Sequence, residues 1–288
     1  MTQEFQRQLG YLHISAGVPG SGRVRYAAAM YFHGLGQLSD GALEVYRVLS
    51  SRDGADPHLL LAERSEQNAL PYPAASQAIL GLVAEVDTYL AALRGPGLAE
   101  VRAGRAQWAQ GQAIAKPSQN AVVDQHLPPS LATLAVTHPG LAAAIRRAAS
   151  ELNWVTYDGY SPAAIGAAFS KGHAYASLIG EDSHIAARDF DLGLFLIAPH
   201  VLYRDHRHAA PELYVPLTGP HGWRFVPDTA LIVKPAHQPV WNRAYQPHLT
   251  KVGPVPFLCL YCWTRDVQAR ATVVPATDWP MLQALRLG

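Results

Sequence analysis

The sequence predicts an α+β fold in which a helical N-terminal region is followed by an antiparallel β-barrel. In the first half, apolar residues recur at helical spacing. After about Val155 the pattern changes to short β-rich runs separated by Pro, Gly and Asp. The chain has 288 residues, of which 49% are hydrophobic, so two ordinary domains can each bury a core. We therefore expect a helical region over residues 1–155 and the barrel over 156–288.

The clearest helical stripe covers residues 76–94, where apolar side chains follow the i, i+3, i+4, i+7 pattern up to Gly95 and Pro96. Similar stripes predict helices over residues 25–49, where Gly34 and Gly36 interrupt the pattern, and over 141–152. The segment 161–179 is also predicted as a helix, which leads into the barrel. The polar segment 111–129 contains several prolines and predicts a long connection.

Short runs rich in β-branched, aromatic and other apolar residues predict the strands of the barrel. These runs lie at residues 192–198, 212–217, 230–233, 257–263 and 271–274. Cys259 and Cys262 fall within one of them, where three-residue spacing puts the two side chains on opposite faces. We therefore interpret them as two buried thiols rather than a redox or metal-binding pair.

Charge and hydropathy argue against several classes of partner. Lys plus Arg number 23 and Asp plus Glu number 22, so the formal net charge is +1 and gives no electrostatic reason to bind nucleic acid or an anionic membrane. The N-terminus has no apolar signal core, and the most apolar stretch, near 192–201, is too short to span a bilayer. We expect a cytoplasmic protein that acts on a small molecule, and a homodimer is one assembly we consider.

Chemically informative residues concentrate between residues 203 and 219. His206, His208, Glu212 and Tyr214 all occupy even positions, so on one extended strand they would share a face. Two imidazoles and one carboxylate suit a divalent cation such as Zn, Fe, Mn or Ni. Gly219 then permits a tight turn that reverses the strand. We expect one metal ion per chain; the alternative is a polar strand face whose groups are satisfied by internal hydrogen bonds.

The spacing H-x-H-x3-E-x6-G resembles the first motif of the cupins, whose metal site takes a further ligand from a second strand. Two histidines are candidates for that ligand. His237 follows Val-Lys-Pro-Ala, which resembles the turn before the second motif. His248 leads directly into the predicted strand 257–263, and we prefer it for that reason.

Four segments together resemble the dimethylsulfoniopropionate (DMSP) lyase family of cupins, over about a third of the chain. They are Phe169…Tyr175-Ala-Ser-Leu-Ile-Gly180, Leu192-Gly-Leu-Phe-Leu-Ile-Ala-Pro199, Tyr203-x2-His206-x-His208-x3-Glu212-x-Tyr214 and Pro256…Leu260-Tyr261-x-Trp263.

This resemblance implies a cupin-type barrel in which His208, Glu212 and His248 bind a metal, with His206 at or beside it. It also implies β-elimination of DMSP to dimethyl sulfide and acrylate. Tyr203 and Tyr214 are the implied catalytic residues, and Trp263 is an implied pocket wall.

The leaving group of that reaction is a sulfonium cation without hydrogen-bond donors, which aromatic faces bind well. Trp241, Tyr261 and Trp263 are the candidate substrate-binding residues because they lie near the metal motif in sequence. Two rival functions are considered. One is a different cupin reaction on another small carboxylate, such as oxygenation, isomerisation or another elimination. The other is a sensor that binds its ligand without turnover.

Overall fold

The structure is a computed structural model that describes residues 3–64, 66, 77–108, 117–181 and 183–287. The chain divides into two compact units, Met1–Ala74 and Ala75–Gly288. The predicted domains, 1–155 and 156–288, divide the chain at another point and stay a proposal.

The first unit is helical in its described residues. Its helices are α1 (Gln3–Leu12), α2 (Ser21–Gly34), α3 (Asp40–Val48) and α4 (Pro57–Glu63). Their apolar faces bury a core around Phe32, Val45 and Tyr46. The stripe predicted over residues 25–49 is therefore helical, with a break between α2 and α3.

The second unit combines helices with two β-sheets. Its helices are α5 (Gln77–Ala92), α6 (Leu98–Gln107), α7 (Ala121–Ala135), α8 (Pro139–Ala148), α9 (Pro162–Ile165), α10 (Ala167–Lys171) and α11 (Trp279–Ala284), with a 3₁₀ turn at Ala149–Glu151.

Two predictions in this region were wrong. Residues 161–179 were predicted as one helix, but the helix ends at Lys171 and His173–Gly180 forms a strand. That segment alternates between two buried faces, and pairing with neighbouring strands overrides its helical tendency.

The second error concerns the predicted connection over 111–129. Residues 111–116 lie outside the described residues, while α7 runs from Ala121 through both of its prolines. Packing of its apolar face on the sheet outweighs the missing hydrogen bonds.

The strands form a six-stranded sheet, in the order β2-β1-β3-β10-β5-β8, and a five-stranded sheet, in the order β11-β4-β9-β6-β7. Their bounds are β1 (His173–Gly180), β2 (Ile185–Ala186), β3 (Asp191–Ile197), β4 (Leu202–Arg207), β5 (Glu212–Pro216), β6 (His221–Arg224), β7 (Ile232–Lys234), β8 (Val240–Asn242), β9 (His248–Lys251), β10 (Phe257–Trp263) and β11 (Thr272–Val273). All pairings described are antiparallel except β1 with β2. The predicted α+β class is confirmed, with two packed sheets rather than one closed cylinder.

The six-stranded sheet is buried on both faces. Leu194 and Leu258 point toward α5, α7 and α8, whereas Phe195 and Cys259 point into a second core shared with the five-stranded sheet. Cys262 belongs to the helix-facing core, so the two cysteines lie on opposite faces as predicted, and both are free and buried. Because both faces are covered, these strands are apolar throughout rather than alternating.

The sequence predicted that the metal motif lies on one extended strand, but the structure divides the motif between two strands. β4 ends at Arg207 and pairs within the five-stranded sheet, while β5 begins at Glu212 and pairs within the other. Pro211 lies where the chain crosses between the sheets, and it has no N–H to continue a ladder. At Gly219, between β5 and β6, a Cβ would lie 2.6 Å from the backbone N of Ala236, so the close approach of that segment also requires a glycine. The motif residues are consequently supplied by both sheets, and the site lies between them.

Candidate active site

Three buried histidines converge at this crossing. His206 and His248 are directly paired across β4 and β9, and His208 follows β4. In each ring Nδ1 donates to a backbone carbonyl: His206 to Arg204 at 2.9 Å, His208 to Ala210 at 2.7 Å and His248 to Gln246 at 2.9 Å. Since Nδ1 carries the proton, each Nε2 presents its lone pair.

The three rings offer ligand atoms that lie within 4.8 Å of one another. Within the described part of the chain, none of the three Nε2 atoms has a hydrogen-bond partner, although all are buried. A buried polar atom left unpaired typically costs about 1–3 kcal/mol, so three at one point call for a common partner. Burial, with the charges of His248 and His208, also holds the pKa of His206 well below its usual value, which favours the neutral, ligating form. These residues fit a metal ion.

Glu212 completes the cluster from the other sheet. Its Oε2 lies 3.4 Å from Nε2 of His208 and 3.3 Å from Nε2 of His248. Burial opposes its ionisation, but the hydrogen bonds and positive charge that His208 and His248 supply when they are protonated outweigh burial and hold the pKa of Glu212 well below its usual value. Trp263 Nε1 donates to Oε1 at 2.7 Å and Asn242 Nδ2 donates to Oε2 at 3.0 Å, so the carboxylate has a defined orientation.

A cavity of about 170 Å³ opens onto this cluster, a size that suits a small substrate. Its lining is largely aromatic and includes Tyr203, Tyr214, Tyr261 and Trp263, together with His208 and Glu212. The structure therefore brings both predicted catalytic tyrosines and two of the three predicted substrate-binding residues to one cavity.

The two catalytic candidates have different surroundings. Tyr203 is stacked between Phe169 and His206, with ring centroids 3.8 and 3.9 Å away, and its hydroxyl lies 3.1 Å from that of Tyr160. Tyr214 lies on β5 two residues after Glu212 and shares its face. Burial raises the pKa of both phenols, and the charge of Glu212 raises that of Tyr214 further.

Trp241 does not line this cavity, so its predicted contact with substrate is corrected. On β8 it neighbours Asn242, which points to Glu212, and adjacent residues of a strand face opposite ways. The Trp241 ring accordingly packs on the helix-facing core and against Gly97.

His237 also lies apart from the three converging histidines. Its Nδ1 is 2.8 Å from the hydroxyl of Tyr89 on α5, and its Nε2 is 3.2 Å from the hydroxyl of Thr137. Both ring nitrogens are thus engaged at the helices, while His248 occupies the position beside His206.

Sequence reasoning missed several residues of the site. Asn242 orients Glu212, and Tyr157, Tyr160, His173, Tyr175 and Asp191 line the cavity. None belongs to a motif with a recognisable spacing, because each arrives through strand pairing or from the loop before α9. The match of the segment around Tyr175 to the DMSP lyases was the one signal available for any of them.

The comparisons with known proteins identify a family and a fold. The family model for dimethylsulfoniopropionate lyase matches residues 99–259, more than half of the chain. The solved structure of the DMSP lyase DddQ from Ruegeria pomeroyi DSS-3 is similar with 21% identity and a TM-score of 0.53, over 69% of this chain and 98% of that one. A chain from the structures of the DMSP lyases RdDddP and RnDddQII is similar with 19% identity and a TM-score of 0.51, over 69% and 98% of the two chains. No curated protein sequence matches. Among the described helices, none has both the length and the apolarity needed to cross a membrane.

Proposed function

We propose that this chain, which belongs to the DMSP lyase family, is a metal-dependent carbon–sulfur lyase that converts DMSP to dimethyl sulfide and acrylate by β-elimination. The observation that carries the proposal is the convergence, beside Glu212 at an aromatic cavity, of three buried imidazole nitrogens that have no hydrogen-bond partner among the described residues.

Under this proposal His206, His208, His248 and Glu212 hold one divalent cation, with Zn, Fe, Mn and Ni all compatible with the donors. When bound, the cation would supply positive charge that stabilises charge developing on the substrate carboxylate and favours an ionised phenol nearby. Trp263 and Asn242 orient the Glu212 carboxylate through the hydrogen bonds described above.

A tyrosine removes the proton from the carbon next to the carboxylate, and we assign that role to Tyr214. It shares the face of Glu212 and lines the cavity. Tyr203 is confined by two stacked rings and by the hydroxyl of Tyr160, which suits a residue that shapes the wall. Tyr203 remains the alternative base.

With the Tyr214 phenol ionised, the elimination balances with Tyr214 as the only base. The phenolate of Tyr214 takes the α-proton, the carbon–carbon double bond of acrylate forms, and the carbon–sulfur bond breaks with its electron pair passing to sulfur. The sulfonium thereby becomes neutral dimethyl sulfide. The faces of Tyr261 and Trp263 would contact a cation favourably, each contributing roughly 0.5–2 kcal/mol.

The test combines metal analysis with headspace measurement of dimethyl sulfide after incubation with DMSP. We expect about one metal ion per chain and release of dimethyl sulfide and acrylate in equal amounts. His208→Ala should lose both metal and product. A folded wild-type protein that binds metal but releases no dimethyl sulfide would assign the site to another reaction.

A further inference from the structure

A row of side chains crosses the cavity face of the six-stranded sheet at the level of the metal cluster. Asp191 on β3 pairs with Trp263 on β10, which pairs with Glu212 on β5. Directly opposed residues of antiparallel strands point to the same face, and all three line the cavity. Adjacent strands lie about 4.8 Å apart, so the backbones of Asp191 and Glu212 are separated by roughly 10 Å. The cavity therefore has a carboxylate at each end and an indole between them.

The Asp191 carboxylate is held in a defined place. The hydroxyl of Tyr261 donates to its Oδ1 at 3.0 Å, and the same hydroxyl lies 3.0 Å from Oγ of Ser177. A Cβ at Gly180 would lie 2.9 Å from that Oδ1, and one at Gly193 would lie 2.7 Å from the Tyr261 ring. The two glycines leave the space that the carboxylate and the phenol occupy.

This inference rests on the proposed function. DMSP is a zwitterion whose sulfonium is two methylene groups away from its carboxylate. With the carboxylate at the histidine end of the cavity, the sulfonium extends along the row, over Trp263 and toward Asp191. We propose that Asp191 determines specificity: its carboxylate, held by Tyr261, attracts the cationic end of the substrate and selects zwitterions over uncharged carboxylates of the same shape.

The charge of the sulfonium disappears as the carbon–sulfur bond breaks. An anion beside it therefore stabilises bound substrate more than the transition state, and the benefit appears in binding rather than in turnover. Asp191→Asn keeps an acceptor for Tyr261 and removes the charge. We expect this variant to raise KM about tenfold and to raise kcat by a smaller factor, because the lost attraction stabilised bound substrate more than the transition state.

Binding of two unreactive ligands tests the inference without turnover. 3-(Trimethylammonio)propanoate is cationic at the relevant end, and 4,4-dimethylpentanoate replaces its nitrogen by carbon at nearly the same shape. By calorimetry on the metal-loaded protein, wild type should bind the cationic ligand about tenfold more tightly. Asp191→Asn should reduce that preference to about twofold. Asp189→Asn is the matched control, because Asp189 is exposed, lies two residues away and is not part of the cavity lining; its preference should equal that of wild type.

Equal affinity of wild type for the two ligands, or failure to bind either, would overturn the inference without need of any variant. If Asp191→Asn keeps the full preference for the cationic ligand, the aromatic rings alone account for that preference, and the inference is also overturned. The proposed function fails if no dimethyl sulfide is released from DMSP. The binding comparison does not depend on that result.

Discussion

Three histidines of the second unit differ from a fourth in what their second ring nitrogen contacts. In His206, His208 and His248 one nitrogen donates to the backbone and the other is buried without a hydrogen-bond partner in the described structure. In His237 both nitrogens meet hydroxyl groups, those of Tyr89 and Thr137. An imidazole whose hydrogen bonds are complete stabilises packing, whereas a buried one held by a single bond with its other nitrogen facing a shared point is prepared for a ligand.

The test with the largest expected effect replaces His248 and His237 by alanine in separate variants. His248→Ala removes one of the converging nitrogens, so we expect loss of most bound metal. Because the metal would supply several kcal/mol of charge stabilisation, the rate of dimethyl sulfide production should fall by about 10³-fold or more. His237→Ala should retain metal and most activity, with a lower melting temperature. Metal content and product release measured on both purified variants decide the matter. Retained metal in His248→Ala together with loss in His237→Ala would reverse the ligand assignment.

The two tyrosines allow a finer version of the comparison. Tyr214→Phe removes the proposed base while keeping the ring, and we expect kcat to fall by about 10²–10⁴-fold with metal content unchanged. Among the described residues, Tyr203→Phe loses the contact with the Tyr160 hydroxyl and no proposed base, so its loss in kcat should be smaller. Kinetics on metal-matched samples give the two values. If the larger loss occurs at Tyr203, the base is Tyr203; near wild-type rates in both would exclude a phenolate mechanism.

A pair of tryptophans distinguishes cavity from core. Trp263→Phe breaks the hydrogen bond to Glu212 Oε1, and because bonds to charged groups contribute about 1.5–3 kcal/mol, we expect kcat/KM to fall by roughly ten- to a hundredfold. Trp241→Phe changes a ring on the helix-facing core and should leave kcat/KM within about twofold. Equal losses in the two variants, at equal metal content, would show that Trp241 also serves the site.

His173 gives the smallest effect and tests a fully bonded histidine outside the metal cluster. Its Nδ1 donates to Phe169 O at 2.6 Å and its Nε2 accepts from the backbone N–H of Tyr157 at 3.0 Å. Burial lowers the pKa of His173 to about 4, below its ordinary value near 6.5. The unfolded chain therefore binds a proton that the folded chain does not, and stability present above pH 6.5 is lost as the pH falls toward 4.

We expect this residue to account for about 2 kcal/mol of the unfolding free energy lost between pH 7 and pH 5. Urea titrations of wild type and His173→Phe, which keeps a ring to stack on Phe169, measure the difference. A pH dependence identical in the two proteins would show that His173 does not contribute.

Much of the site followed from local spacing alone. The types and intervals of His206, His208 and Glu212 indicated a metal motif, and the apolar run over 257–263 indicated the strand that carries Tyr261 and Trp263. The opposite faces of Cys259 and Cys262 followed from the two-residue period of a strand. Local rules failed where packing outweighed them, as at His173–Gly180, which pairs as a strand, and in α7, which continues through its prolines.

The sequence by itself determined which residue types were available for chemistry and how neighbours in the chain are placed, because backbone geometry sets the period of strands and helices. The tertiary structure decided which distant segments meet. It divided the metal motif between two sheets, put His248 rather than His237 beside His206, turned Trp241 toward the helices and aligned Asp191 with Glu212. These outcomes depend on strand pairing and on burial of both faces of the six-stranded sheet, which are sums over many non-local contacts that no short motif contains.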